Sequence, residues 1–345
     1  TRIIYDTFLK RNMKLTFAAR LTENAFNNMK VNFIGNRKIF YVVSGIIILV
    51  GIGSLVTKGL NPGIDFTGGR SYVIRFEEPV STVEVADRLG EVYGENPLVV
   101  VFGNENQVKI TTKYLVDEPD AEDEVENLLY QGLQPMLPDG VDKDTFLDNY
   151  RQSSQTVGPT IAFDIMIRAL YAVAFSLLII FLYILIRFRN WQFGLGALTA
   201  LVHDVLIVLG IYSLGYGILP FSLEIDQAFI AAILTVVGYS INDTVVVFDR
   251  IREYLGLYRK RSRTEILNLA LNSTISRTFS TSLSTFVVLL AIFIFGGEVI
   301  RGFIFALLIG VIIGTYSSLF VATPVVFDSI RKGEMERVLR GKKSS

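Results

Sequence analysis

Long stretches without charge constrain this sequence more than any other feature. Six segments are apolar and almost free of charged side chains, and a helix needs about 20 such residues to cross the hydrocarbon core of a bilayer. We expect membrane helices at residues 39–56, 163–186, 193–214, 228–248, 279–295 and 302–326. The mean hydropathy of +0.45 agrees with this assignment. The sequence therefore predicts a polytopic α-helical membrane protein, a bundle of six transmembrane helices.

Lys and Arg are concentrated in every second connection between these segments. Basic residues precede the first segment and follow the second, fourth and sixth, whereas 215–227 and 296–301 contain only Arg301. Cytoplasmic loops of membrane proteins carry the excess of Lys and Arg. We therefore expect a multi-pass protein of the cytoplasmic (inner) membrane, with both termini in the cytoplasm and the long loop on the extracytoplasmic, periplasmic side.

The expected domain organisation follows from these spans. Residues 1–38 form a cytoplasmic lead, 57–160 an extracytoplasmic domain, 161–327 five further membrane helices with a cytoplasmic loop at 249–276, and 328–345 a basic cytoplasmic tail. Within the cytoplasmic loop, the pattern at 264–271 indicates a short amphipathic helix. We expect that helix to lie on the lipid headgroups.

The extracytoplasmic segment has the composition of a small soluble domain. It contains 8 Lys or Arg against 19 Asp or Glu. Alternation and capping patterns predict strands at 71–77, 98–102, 107–112 and 149–157, a hairpin turn at 104–106, and helices at 81–93 and 120–134. The resulting order is β-α-β-β-α-β, which is the order of a ferredoxin-like α+β domain.

Composition also excludes several kinds of chemistry. The chain has no cysteine and one histidine, so disulfides, thiolate nucleophiles and cysteine metal sites are excluded and a zinc site is not expected. No phosphate-binding loop occurs. We therefore expect no cofactor, metal, nucleotide or nucleic acid, and no enzyme activity. An ion gradient remains as the source of energy.

Asp243 lies roughly 7–8 Å to the cytoplasmic side of the middle of the fourth predicted span. A charged side chain inside a membrane helix costs about 2.5–3.5 kcal/mol on insertion scales, so it indicates a function. One interpretation is a carboxyl that loads and releases a proton. The other is an acid held permanently by hydrogen bonds to Ser240, Asn242 or a neighbouring helix.

Arg277 lies near the cytoplasmic end of the fifth predicted span. It can be an anchor whose guanidinium extends to the headgroups. Alternatively, Arg277, Thr281 and Thr285 are spaced four residues apart, and this polar stripe is expected to face protein and not lipid. The similar depth of Arg277 and Asp243 then makes a switchable ion pair feasible.

His203 and Asp204 fall near the centre of the third predicted span. They are interpreted either as part of a proton relay or as a paired structural cluster. In the sixth span, Gly310 and Gly314 form a G-x-x-x-G pattern, which permits two helices to approach closely.

Several of these segments resemble the SecF family of protein-export membrane subunits, which belongs to the resistance-nodulation-division superfamily. The resemblance covers about residues 32–332. Its motifs are Gly63-Ile64-Asp65-Phe66-Thr67-Gly68-Gly69, Val157-Gly158-Pro159, His203-Asp204, the run 237–253 with Ser240-Ile241-Asn242-Asp243, and Arg277-Thr278. The opening Thr1-Arg2-Ile3-Ile4-Tyr5-Asp6 resembles the end of SecD, which suggests a chain taken from a fused SecD–SecF polypeptide.

The resemblance implies a function and a set of site residues. Asp243 is then the proton-carrying acid and Arg277 its charge partner, with His203, Asp204, Asn242, Thr281 and Thr285 as a supporting relay. The structural motif residues are Gly63, Asp65, Gly68, Gly69, Gly158 and Pro159. The glycines permit a tight backbone path, and Asp65 is expected to cap or hydrogen-bond that turn. The implied partners are SecD, possibly on the same polypeptide, the SecYEG translocon, the translocating pre-protein and membrane lipids.

Two other functions compete with protein export driven by the proton-motive force. A small-molecule or lipid exporter of the resistance-nodulation-division type shares the six-helix repeat and intramembrane acids, but a loop of about 100 residues is short for a substrate tunnel. A non-conducting structural scaffold of the translocon leaves Asp243 unexplained.

Overall fold

The computed structural model describes residues 30–258 and 260–330, so most of the expected lead and tail lies outside the described residues. The principal helices are α1 Arg37–Thr57, α2 Ile64–Thr67, α3 Thr82–Tyr93, α4 Glu122–Leu133, α5 Pro159–Phe188, α6 Trp191–Gly215, α7 Gln227–Leu257, α8 Arg263–Phe295, α9 Glu298–Ser317 and α10 Thr323–Ser329. The strands are β1 Asn61–Pro62, β2 Gly69–Arg75, β3 Leu98–Phe102, β4 Asn104–Thr112, β5 Arg151–Val157 and β6 Glu224–Ile225.

Six helices of the described chain are long and apolar enough to cross a membrane, which confirms the predicted fold class. They are α1, α5, α6, α7, α8, and α9 continued through the π-helical turn Ser318–Ala322 into α10. Helices α6, α7 and α9 form the inner part of the bundle. The surfaces of α1, α5 and α8 are largely exposed within this chain, so they are the faces that lipid or another protein covers.

The segment predicted as a cytoplasmic loop, 249–276, is mostly helical. Helix α7 continues to Leu257, and α8 begins at Arg263 with Ser262 as its N-cap. The amphipathic segment at 264–271 is the first part of α8 and does not lie on the headgroups. Its apolar side chains, Ile266 and Leu267 among them, are buried in a cluster that includes Phe248 of α7. The apolar face therefore packs against protein, which removes it from lipid.

Helix α9 packs against α7 at the predicted G-x-x-x-G pattern. A Cβ placed at Gly310 would overlap the side chain of Val236, and one at Gly314 would lie 3.0 Å from the Cβ of Ser240. Any larger side chain at these two positions would force the helices apart. The prediction of close helix approach is confirmed, and it brings α7 and α9 into direct contact.

The domain that follows α1 has the predicted β-α-β-β-α-β order. Its four strands are all antiparallel in the order β3-β4-β2-β5, and the apolar core between the sheet and helices α3 and α4 includes Ile74, Leu89, Ile110 and Leu129. Ser81 caps α3 as expected. The hairpin turn is one residue long and lies at Gly103, not at 104–106, because its φ of 88° suits glycine.

The base of this domain is joined to the start of α7. Strand β1 pairs in parallel with β6, which lies just before α7. Lys109 of β4 forms an ion pair with Glu224 of β6. Because the domain contacts α7 by both backbone and side-chain bonds, its position is defined relative to the bundle.

We expect Gly310→Val to lower the thermal unfolding midpoint of the purified protein in detergent, because overpacking at a helix contact typically costs about 1–3 kcal/mol. The matched control is Gly238→Val on α7, where an added Cβ would meet no atom within 4 Å. Equal midpoints for the two variants would contradict the close packing of α7 and α9.

Candidate functional site within the membrane

Asp243 is a nearly unpartnered acid inside the helix bundle. Its side chain is 5% exposed and faces α8, where the Ser282 hydroxyl lies 3.5 Å from Oδ2, at the outer limit of a hydrogen bond. The Ser282 hydroxyl also lies 2.6 Å from Thr315 Oγ1 of α9. Neither Ser240 nor Asn242 holds the carboxyl, because Ser240 bonds elsewhere and Asn242 is exposed. Asp243 therefore has the freedom that proton exchange requires.

Arg277 occupies the adjacent surface of α8. It is exposed, and within the described residues it forms no ion pair with Asp243 shorter than 4 Å, although its positive charge acts on that carboxyl. Thr281 is exposed too and donates to carbonyls of its own helix. Arg277 and Thr281 therefore lie on a surface of α8 that no other part of the described chain covers. The buried face of α8 is turned by one residue and carries Thr278 and Ser282 instead.

The last member of the stripe lies deeper. Thr285 is half-buried, and the Tyr239 hydroxyl of α7 lies 3.4 Å from its Oγ1. Thr285 therefore extends the polar contacts of α8 toward α7. Nearer the start of α8, Arg277 places its positive charge on the exposed surface of the bundle.

Asp204 is the centre of a second, fully bonded polar cluster. Its Oδ2 accepts hydrogen bonds from Ser240 of α7 at 2.6 Å and from Ser317 of α9 at 2.8 Å. Its Oδ1 lies 2.9 Å from Nδ1 of His203, whose Nε2 lies 3.0 Å from the Ser44 hydroxyl of α1. With four helices joined and every partner satisfied, the cluster has the geometry of a structural hub.

The structure brings Asp243 and Arg277 to one side of α7 and the His203–Asp204 pair to another. Sequence reasoning missed the hydroxyl groups that complete both clusters, which are those of Ser44, Ser282, Thr315 and Ser317. Helical spacing could have indicated one of them, Ser282, because it lies four residues after Thr278 and therefore on the same face of α8. The contact of Ser44 with His203 has no local signal, since 159 residues separate them.

The glycine-rich motif after α1 meets the Val157-Gly158-Pro159 motif at the membrane surface. Gly68 has a φ of 70°, and an added Cβ would lie 3.2 Å from the Cα of Pro159. Gly69 pairs with Val157 across β2 and β5, and Gly158 caps α5 with Pro159 at its first turn. The two motifs therefore form one tight corner, where the domain joins the bundle.

Asp65 bonds beyond its own turn. Its Oδ2 accepts from the backbone N–H of Gln227, the first residue of α7, at 3.0 Å, and its Oδ1 accepts from Gln155 Nε2 at 3.1 Å. Gly63 N–H donates to the Ile225 carbonyl at 2.9 Å. Asp65 thus links the sheet of the domain to α7, whereas the expectation placed its hydrogen bond within its own turn.

Acidic groups accumulate at this joint. Burial raises the pKa of Asp226, the N-cap of α7, while the hydrogen bond from Phe229 N–H acts in the opposite direction. The nearby carboxylates of Asp65 and Glu224 also raise it.

In residues 30–258 and 260–330, no cluster of three His, Cys, Asp or Glu side chains could hold a metal ion.

These features define a class of protein: a six-helix membrane bundle with a ferredoxin-like domain inserted after its first helix and acids buried between its inner helices. Comparison with known families agrees. Residues 141–332 match the family "Protein export membrane protein SecD/SecF, C-terminal", and residues 53–80 match the SecD/SecF GG motif.

Relatives match over most of their length. The chain is 46% identical over 306 residues to the protein translocase subunit SecF of Rhodothermus marinus, covering 88% of this chain and 94% of that one. It is 36% identical to the SecF of Haemophilus influenzae, covering 86% and 85%. The chain therefore belongs to the SecF family.

A solved structure extends the likeness to the fold. The crystal structure of SecDF, a translocon-associated membrane protein from Thermus thermophilus, superposes with a TM-score of 0.79 at 32% identity, covering 95% of this chain. The chain spans 41% of that SecDF chain. Its helices and domain thus match one part of a longer polypeptide.

We expect Asp204→Leu to lower the thermal midpoint in detergent strongly, because it removes the acceptor of three buried groups and each unpaired buried donor costs about 1–3 kcal/mol. The control is Asp164→Leu on the exposed surface of α5. A midpoint for Asp204→Leu equal to that of the control would contradict the role of Asp204 as a structural hub.

Proposed function

We propose that this chain is the SecF part of a proton-driven protein-export machine, acting with SecD to promote pre-protein movement through the SecYEG translocon. The observation that carries the proposal is Asp243, which is buried in the bundle with one long hydrogen bond from Ser282. A desolvated carboxyl with few partners can bind and release a proton as its surroundings change. No permanent bond network holds it in one state.

Arg277 supplies the counter-charge in this proposal. Its exposed guanidinium can reach toward Asp243 or turn to another partner, since the two side chains are near but not paired. A planar guanidinium binds a carboxylate through two parallel hydrogen bonds, which lysine cannot do. Asp243 would pair with Arg277 when ionised and release it when protonated.

SecD is the proposed partner for the open face of the bundle. The similar crystal structure carries SecD and SecF in one chain, of which this chain covers 41%. Arg277 and Thr281 are exposed on α8, and polar side chains in the membrane normally face protein or water. A neighbouring SecD bundle would cover them. The relatives named above are all SecF or SecDF proteins, which favours protein export over a small-molecule exporter.

We expect Asp243→Asn to abolish the stimulation of pre-protein translocation by a proton gradient in vesicles that contain the complete SecD–SecF complex and translocon. The amide fills nearly the same volume but cannot cycle a proton. Arg277→Lys should lower the stimulation several-fold and Arg277→Ala should abolish it.

Co-purification of SecD with each variant is the control for assembly. Unchanged stimulation in Asp243→Asn would show that Asp243 is not the proton carrier. Equal stimulation in wild type and both Arg277 variants would leave Arg277 as a membrane anchor.

For topology we propose cytoplasmic termini and a periplasmic domain in the inner membrane, as the distribution of Lys and Arg indicates. The chain has no cysteine, so single cysteines can be introduced at exposed sites. In intact cells with a permeable outer membrane, an impermeant thiol reagent should label Glu105→Cys but not Lys260→Cys. The reverse pattern would exclude this orientation.

A further inference from the structure

A cleft opens between α7 and α8 on the side of the bundle below Asp243. It has a volume of about 360 Å³, enough for several water molecules, and it is lined by Val246 and by six polar or charged residues: Asp249, Arg250 and Glu253 of α7, and Ser273, Thr274 and Arg277 of α8. In the proposed topology these residues lie at the cytoplasmic end of both helices. Water from the cytoplasm can therefore enter between the helices as far as Thr274.

Hydroxyl groups continue from this cleft to Asp243 along one face of α8. Thr274, Thr278 and Ser282 are spaced four residues apart and are all buried. Ser282 lies next to the Asp243 carboxyl, and Thr274 lines the cleft. The three residues cover about 12 Å along the helix at 1.5 Å per residue. They mark a continuous seam of buried hydroxyl groups on this face of α8.

Thr278, in the middle of the seam, has a hydroxyl that lacks a hydrogen-bond partner. Threonine in a membrane helix usually bonds a carbonyl one turn earlier, as Thr274 does with Leu271 O at 2.8 Å. Thr278 is 1% exposed, and its Oγ1 has no hydrogen-bond partner within the described residues. A buried hydroxyl of this kind needs a partner, and water is the partner that the adjacent cleft can supply.

We infer that Thr278 and the hydroxyl seam from Ser282 to Thr274 hold the water chain through which the proton of Asp243 leaves to the cytoplasm. The inference rests on the proposed function and adds its exit route. At each step an oxygen accepts a proton on one side and donates its own proton on the other, so no hydroxyl changes its charge. The last water in the cleft passes the proton to bulk water, and Asp243 is left ionised beside Arg277.

Thr278 is a positioning residue in this route, so removing its hydroxyl should interrupt the water chain without changing Asp243. In vesicles with the complete SecD–SecF complex, we expect Thr278→Val to lower proton flux at least tenfold. Thr278→Ser keeps a hydroxyl and should remain within twofold of wild type. The matched control is Thr235→Val on α7, whose hydroxyl bonds its own helix at Ala231 O; it should also stay within twofold.

Accessibility gives a second measurement that requires no flux. An impermeant thiol reagent added from the cytoplasmic side should modify Thr278→Cys, because water reaches it. It should not modify Ala270→Cys, which is fully buried in the apolar cluster of the same helix. This measurement decides the question if Thr278→Val fails to assemble.

The results separate this inference from the proposed function. If Asp243→Asn stops proton flux while Thr278→Val conducts within twofold of wild type, the exit route is wrong and the proton carrier stands. No labelling of Thr278→Cys also overturns the route. If Asp243→Asn conducts normally, the proposed function itself fails.

Discussion

One buried carboxylate, that of Asp204, connects four of the membrane helices, and the arrangement of the bundle depends on it. In hydrocarbon, a polar group without a partner costs free energy, so each hydroxyl or imidazole directed at Asp204 fixes the rotation and depth of its helix. Ser240 and Ser317 fix α7 against α9, and His203 extends the network to Ser44 of α1. The small side chains at Gly310 and Gly314 permit the short distance between α7 and α9 that these bonds need. Packing and hydrogen bonding therefore require the same helix arrangement.

Asp204 and Asp243, on neighbouring membrane helices, lie in different environments and therefore suit different roles. Asp204 accepts bonds through both oxygens, whereas the carboxyl of Asp243 has a single hydrogen bond, at 3.5 Å, within the described residues. A carboxylate with several donors is stabilised in one charge state, and one with few donors responds to whatever approaches it. Asp204 therefore suits a structural role, and Asp243 suits proton exchange. This contrast supports the choice of Asp243, and not Asp204, as the proposed proton carrier.

The sequence predicted features that depend on composition and short-range periodicity. Hydropathy located all six spans, and alternation with the Ser81 cap located the order of the domain. Features that depend on distant residues were not predictable in the same way. The face of α8 that is buried is set by α7 and α9, and it carries Thr278 while Arg277 is exposed. The first turns of α8 resembled a surface helix because nothing local indicates that Phe248 covers them. The bond from Gln227 to Asp65 joins residues 162 positions apart.

Helix α7 runs without interruption from the base of the β-α-β-β-α-β domain to Leu257 at the opposite end of the bundle. Its first N–H groups are held by Asp65 and Asp226, and Asp243 lies 16 residues further on, about 24 Å away at 1.5 Å per residue. An unbroken α-helix is stiff over this length, so it acts as a rod. A tilt or shift of the domain at one end must therefore move Asp243 relative to α8 and α9. In the other direction, a change in charge at Asp243 that repacks α7 exerts a torque on the domain. Displacements at the two ends of α7 are therefore coupled.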